Sequence, residues 1–138
     1  TEGNPEIKGR IRKIQRQMAL SRMMQKVPEA DVIVKNPTHF AVALKYDPEK
    51  SGAPIVVASG MGYMAERITE TALEAGVPVY EDDSLASLLS QMKLGAAIPE
   101  ELYQAVVEIY VYFLGYVPDA GPEEGAEEDG EWTEEPEV

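Results

Sequence analysis

Apolar residues follow two different spacings along this 138-residue chain, and the change falls at Val27-Pro28. Before it, Ile7, Ile11, Ile14 and Met18 recur at intervals of three or four, which puts them on one stripe of a helix from Asn4 to Lys26. Asn4 and Pro5 offer a cap and a first-turn proline, while Gly9 weakens the helix. After it come short runs bounded by Gly, Pro and Asp: Val32-Ile33-Val34, Phe40 to Tyr46, Ile55 to Ala58, and Val77 to Tyr80. The first three are almost continuously apolar, as in a sheet covered on both faces, and Pro78 suits an edge strand.

Helical periodicity then returns three times. Tyr63 to Ala75 puts Met64, Ile68, Ala72 and Ala75 on one side and is closed by Gly76. Ser84 to Lys93 takes Ser84 as cap and turns Leu85, Leu88, Leu89 and Met92 inward. Pro99 to Leu114 has Pro99 in its first turn, Glu100 and Glu101 favouring its N-terminus, and Leu102, Val106, Ile109, Tyr110 and Phe113 as the packed face. The pattern predicts an α/β fold: a small four-stranded sheet flanked by about four helices, with a basic N-terminal linker helix and a disordered acidic C-terminal tail. The divisions are 1–27, 28–117 and 118–138.

Charge sharpens those divisions. The net charge of −13 is concentrated in Asp119 to Val138, which holds ten acidic residues and no Lys or Arg, leaving −3 for the rest. Interrupted by Gly121, Pro122, Gly125, Gly130 and Pro136, that segment lacks the apolar area to order itself and reads as solvated tail, with Trp132 the one residue that suits a docking anchor. The leading helix is the opposite, with Lys8, Arg10, Arg12, Lys13, Arg16, Arg22 and Lys26 against Glu6. It has no stacking aromatic and the chain has no nucleic-acid motif, so nucleic acid is not the expected partner. An anionic membrane surface on the cytoplasmic side fits better, beside the plainer reading of a solvated helix.

No cysteine is present, which removes disulfides and thiolate metal sites and suits a reducing compartment; neither metal nor cofactor is expected. The longest apolar stretch, Ala105 to Val117, is interrupted by Glu108 and too short to span a bilayer, and no signal peptide is visible. The chain starts at Thr1 without methionine and is expected to be a fragment. Ser59-Gly60-Met61-Gly62 lies where a phosphate loop would, but has neither dinucleotide glycine spacing nor a Gly-Lys-Ser/Thr, and is expected to be a turn.

Asn36-Pro37-Thr38-His39 separates two strands and holds the only histidine. Pro37 has no N–H, so attack of the following backbone nitrogen on the Asn36 side chain is closed. The reverse is open: the Asn36 side-chain nitrogen can attack Asn36's own carbonyl, closing a succinimide and expelling the Pro37 nitrogen. In a flexible peptide this is slow, because the nucleophile is poor and resonance protects the carbonyl. A turn with Asn36 first and Pro37 second would hold the geometry. His39 and the Thr38 hydroxyl are near enough in sequence to move protons, imidazole being the side chain that ordinarily titrates nearest neutrality. From these four residues alone, an ordinary turn followed by a capping or packed histidine is the commoner reading.

The wider sequence reverses that order. Asn36-Pro37-Thr38-His39-Phe40-Ala41-Val42-Ala43-Leu44 after Asp31-Val32-Ile33-Val34, with Glu2-Gly3-Asn4-Pro5-Glu6-Ile7-Lys8-Gly9-Arg10-Ile11-Arg12 upstream, resembles the FlhB/YscU family from Glu2 to Tyr116, its flagellar members most. These are export-gate switch proteins of flagellar and injectisome type III secretion. The resemblance implies a cytoplasmic domain of a bacterial inner-membrane protein, with a membrane portion upstream, that cuts itself once between Asn36 and Pro37 and is not a turnover enzyme. It also implies other export-apparatus proteins, export substrates or chaperones as partners, and Asn36, Pro37, Thr38 and His39 as the site. The sequence departs from the family at Ser59, where lysine is common, and at Asp83-Ser84-Leu85-Ala86-Ser87, where Pro-Leu-Ala-Arg is common. Against the family pattern this removes two basic side chains from a surface where the resemblance implies partners would dock. A non-cleaving α/β protein-binding module is the alternative. A hydrolase built on His39 ranks last, for want of a nucleophile elbow or a second histidine.

Overall fold

The computed structural model describes residues 4–37, 39–49 and 52–118. Helix α1 (Pro5–Lys26) starts at Asn4, whose side chain accepts from the Glu6 and Ile7 N–H groups at 2.9 and 3.4 Å. A 3-10 turn (Val27–Glu29) leads into β1 (Val32–Lys35), β2 (Phe40–Lys45) and β3 (Ile55–Met61). Then follow α2 (Tyr63–Glu74), β4 (Val79–Glu81), α3 (Asp83–Ser90) and α4 (Glu100–Leu114).

The sheet order is β3-β2-β1-β4, antiparallel except for the parallel β1–β4 pair, and β4 with its preceding Pro78 is at an edge. Among the described residues, the predicted α/β class with a four-stranded sheet and four helices is therefore the fold. Alternation of side chains along β1 and β2 makes two cores. Val32, Val34, Val42 and Leu44 face Leu85, Ala86 and Leu89 of α3 and Val106, Ile109 and Tyr110 of α4. Ile33, Ala41 and Ala43 face Ile68 and Ala72 of α2, together with Met23 and Val27. Between Ala43↔Ala58 and Leu44↔Val56 the register slips, so Val57 is an extra residue and joins Ala58 on the α2 side.

Several boundaries differ from expectation, each for a local reason. β3 runs on through Ser59 and Gly60 to Met61 instead of turning after Ala58. Gly60 is there because α2 crosses closely: a Cβ would sit 2.5 Å from Met64 Cγ and 2.8 Å from Met64 Cβ. Helix α3 is capped by Asp82, whose side chain accepts from Leu85 N–H at 3.0 Å, so Ser84 is inside the helix, not before it. Leu88 faces solvent, since only Leu85, Ala86 and Leu89 reach the sheet, and Met92 lies past the helix end, half-buried. Ala75 is exposed as the C-cap of α2, and Pro99 is the N-cap residue of α4, one position before the first turn. The segment Gly95–Ile98 covers the start of edge strand β3, with Val56 N–H donating to Ala96 O at 3.0 Å and Gly95 N–H to Val56 O at 2.7 Å. The acidic residues from Asp119, with Trp132, lie outside the described residues.

Candidate functional site

Asn36 to His39 connect β1 to β2 as a tight loop. Its base is fixed by Asn36 N–H donating to Phe40 O at 2.9 Å, continuing the ladder beyond Lys35↔Ala41. Its closing bond runs from His39 N–H to Asn36 O at 3.3 Å, so Asn36 and Pro37 take the first two places of the turn, as their residue types favour. The same N–H donates to Asn36 Oδ1 at 3.1 Å. One donor thus holds both the carbonyl of the Asn36–Pro37 peptide and the oxygen end of the side-chain amide. Asn36 is half-buried, while Pro37 and His39 are exposed. The His39 and Phe40 rings are 6.0 Å apart between centroids. Thr38 lies outside the described residues.

A second anchor reaches the loop from across the sheet. Gly62 N–H donates to His39 O at 2.9 Å, carrying the β2–β3 pairing past Phe40↔Met61. Gly62 has φ +59° and ψ −129°, a conformation that an L-side chain resists, and from there the chain turns directly into α2. The loop and the first two turns of α2 consequently enclose a cleft of about 410 Å³, walled on one side by Asn36, Pro37 and His39 and on the other by Tyr63, Glu66 and Glu70. The structure places Asn36, Pro37 and His39 in one loop that faces Gly62, Glu66 and Glu70, three residues that sequence reasoning did not join to it. The one available signal was the four-residue spacing of the two glutamates on the α2 face. Nothing in that spacing says which loop they meet.

Chemically, the arrangement favours addition to the Asn36 carbonyl. A backbone N–H already directed at that oxygen stabilises the negative charge that grows there when a nucleophile adds to the carbon. Its contact with Oδ1 draws electron density from the amide, easing loss of a proton from Nδ2. Among the described residues, no group of three or more His, Cys, Asp or Glu is placed to hold a metal ion, and no helix is long and apolar enough to cross a membrane.

A second polar cluster lies at the opposite end of β1. Asp31 Oδ2 accepts from Tyr46 N–H at 2.6 Å and from Tyr110 OH at 2.9 Å. Burial first, and then the Asp31 charge, hold the Tyr110 hydroxyl well above the ordinary tyrosine range; Tyr116 is shifted the same way for the same two reasons.

The family model described as "FlhB HrpN YscU SpaS Family" matches residues 1–113. The chain is 48% identical over 113 residues to the flagellar biosynthetic protein FlhB of Bacillus subtilis, covering 81% of this chain and 31% of that protein. It is 50% identical over 113 residues to the Escherichia coli protein of that name, covering 81% and 30%. It therefore spans about three-tenths of the length of these relatives. Among solved structures, the cytoplasmic domain of FlhB from Shewanella putrefaciens is similar with TM-score 0.64 and 40% identity, covering 75% of this chain and 87% of that one. An EscU C-terminal domain is similar with TM-score 0.62 and 31% identity, covering 68% of this chain, in two variants: one has an asparagine replaced by alanine, the other the proline next to it. The match extends over 97% and 96% of those two EscU chains.

Proposed function

The chain belongs to the FlhB HrpN YscU SpaS family, and from that premise we propose that it is the cytoplasmic domain of a flagellar or type III protein-export membrane component that cuts itself between Asn36 and Pro37. The cut reshapes a surface and helps change which substrates are exported. The observation that carries this reading is the paired hydrogen bond from His39 N–H to Asn36 O and Oδ1. It engages both reacting groups of one residue at once.

In the proposed step, Asn36 Nδ2 attacks the Asn36 carbonyl carbon and closes a five-membered ring. The bond from that carbon to the Pro37 nitrogen breaks, one proton leaves Nδ2, and one proton reaches the Pro37 nitrogen, which departs as a secondary amine. Nothing else is consumed. His39 is the proton carrier and Thr38 shapes the turn. Cleavage within minutes needs a barrier of about 21 kcal/mol, which positioning and proton transfer can bring within reach. Each chain reacts once, so this is not turnover catalysis.

Residues 1–27 then act as a membrane-proximal linker, 28–117 as the cleaving domain and 118–138 as an acidic appendage. The domain faces the cytoplasm from the bacterial inner membrane and meets other export-apparatus proteins, substrates or chaperones. Helix α1, with seven cationic residues and one acidic, is suited to anionic headgroups. Co-sedimentation with anionic vesicles that persists unchanged at high salt would count against that contact.

Intact-mass measurement tests the function itself. Protein held at neutral pH should yield a fragment starting at Pro37, Asn36→Ala should yield none, and His39→Ala should yield it more slowly. A wild-type chain still whole after days would leave a protein-binding module that never reacts.

A further inference from the structure

The first four turns of α1 carry an apolar stripe left open by the fold. Ile7, Ile11, Ile14 and Met18 are each about half exposed, and α1 meets the domain through Met23 and Met24 near its C-terminal end. At about 100° per residue these four side chains form one narrow face, with Arg10 on one flank and Lys8 and Arg22 on the other. The helix has a single acidic residue, Glu6, against seven cationic ones. An open apolar stripe inside a basic rim is a surface for an acidic segment with an apolar anchor.

We propose that residues 119–138 of the same chain dock on this face, with Trp132 seated against the stripe formed by Ile7, Ile11, Ile14 and Met18. Charge is the first argument: the segment carries ten acidic residues and no basic one. Place is the second. The Tyr103 hydroxyl donates to Pro118 O, and the Tyr116 ring packs against Tyr46 and Tyr110, at 6.4 and 5.7 Å between centroids. Tyr46 and Tyr110 both hold Asp31, at the entry to β1, so the chain leaves the domain beside the start of β1, where Asp31 lies five residues after α1 ends at Lys26.

Reach is the third argument. Extended chain covers about 3.3–3.6 Å per residue, so the step from Pro118 to Trp132 spans up to about 45–50 Å, whereas the whole of α1 is about 33 Å long. The acidic segment lacks the apolar residues to build a core of its own, but one indole on the stripe beside Arg10, near Ile7, Ile11 and Ile14, gains both apolar contact and cation–π attraction. Docking sets this segment in competition with any anionic surface for α1, and it does not depend on the cleavage chemistry.

Trp132 is the only tryptophan in the chain, so fluorescence excited at the indole reports the exposure of this one residue. The measurement is acrylamide quenching of the 138-residue protein at low micromolar concentration, with a peptide of residues 119–138 as the freely accessible reference. At about 50 mM salt the quenching constant should be at least about twofold below that of the peptide, and it should rise to the peptide value by about 500 mM as the charges are screened. Ile11→Ser with Ile14→Ser should give the peptide value already at low salt. So should Glu127→Gln, Glu128→Gln, Asp129→Asn and Glu131→Gln combined, which leave α1 untouched and decide the matter if the serine variant loses helical circular dichroism. A low-salt constant equal to the peptide's overturns the proposal. Protection that persists in the amide variant, or that disappears on dilution and so assigns the face to a second copy, overturns it too.

Discussion

Cutting Asn36–Pro37 leaves residues 1–36 without a covalent tie to the rest, and Ile33 is the residue best placed to measure what holds them. β1 lies between β2 and β4, so the piece is paired on both edges, with Ile33 opposite Ala43 and Val79. Its side chain is fully buried in the core on the α2 side. Ile33→Ala removes three carbons there, and substitutions of this kind cost about 2–5 kcal/mol, depending on how far the surroundings collapse into the gap. In an uncut chain that cost appears as lost unfolding free energy. In a cut chain, whose first fragment alone gives β1 no strand to pair with, the same cost appears as lost affinity between fragments.

The two numbers should therefore agree. Urea unfolding on an Asn36→Ala background supplies the first. Dilution of the cut protein, followed by analytical ultracentrifugation or native size exclusion, supplies the second: a Kd weakened about thirtyfold to several-thousandfold by Ile33→Ala. Wild-type fragments should co-elute natively and part only in denaturant. Separation of the wild-type pieces under native conditions would refute the reasoning, making the cut a release event. So would a fragment Kd that Ile33→Ala changes less than about threefold while the uncut variant loses the full amount.

Gly62→Ala puts a side chain at φ +59° and ψ −129°, a strain of order 1–3 kcal/mol; since Gly62 N–H holds His39 O, the rate of appearance of the Pro37 fragment by mass spectrometry should change by more than that of a Gly95→Ala control. Tyr110 is held protonated in the fold, first by burial and then by Asp31. Its raised pKa means that its contribution to stability is complete below about pH 10 and lost as pH rises above it, by about 1.4 kcal/mol per pH unit. Urea unfolding at successive alkaline pH values should show this slope, and Tyr110→Phe should make it shallower while costing about 1.5–3 kcal/mol at neutral pH through the lost bond to Asp31.

How much was legible in the sequence depended on whether a feature was local. Strand runs such as Val32-Ile33-Val34 and the α1 stripe are written in neighbouring residues, and the turn at Asn36-Pro37 follows from what those two residue types do to the backbone. Pro78 pointed to an edge because it lacks a ladder donor. Gly60 and Gly62 misled, because a glycine pair before a helix signals a turn locally. Gly60 instead answers to a non-local demand, the close crossing of Met64. Asp82 displaced Ser84 as the α3 cap because both are good capping residues and only the path of β4 chooses between them. Asp31, Tyr46 and Tyr110 could not be joined from the sequence at all: 79 residues separate the first from the last, and no periodicity spans that gap.

The same distinction locates the surface that the proposed cut would alter. The β1–β2 ladder runs up to Asn36 but does not include the Asn36–Pro37 bond, and neither the ladder nor the two cores needs continuity between Asn36 and Pro37. What does need it is the turn: once the bond from Asn36 is broken, no covalent restraint keeps His39 N–H against Asn36 O and Oδ1. His39 keeps its other tether, through its carbonyl to Gly62 at the head of α2. Release on one side and retention on the other leave residues from Pro37 onward to pivot over the cleft that Tyr63, Glu66 and Glu70 wall. A partner that distinguishes cut from uncut protein would accordingly read this cleft, and Glu66→Gln with Glu70→Gln should weaken its preference without changing the rate of the cut. If the pair instead slows the cut as much as His39→Ala does, the glutamates belong to the proton-transfer chemistry, and the discriminating surface lies elsewhere.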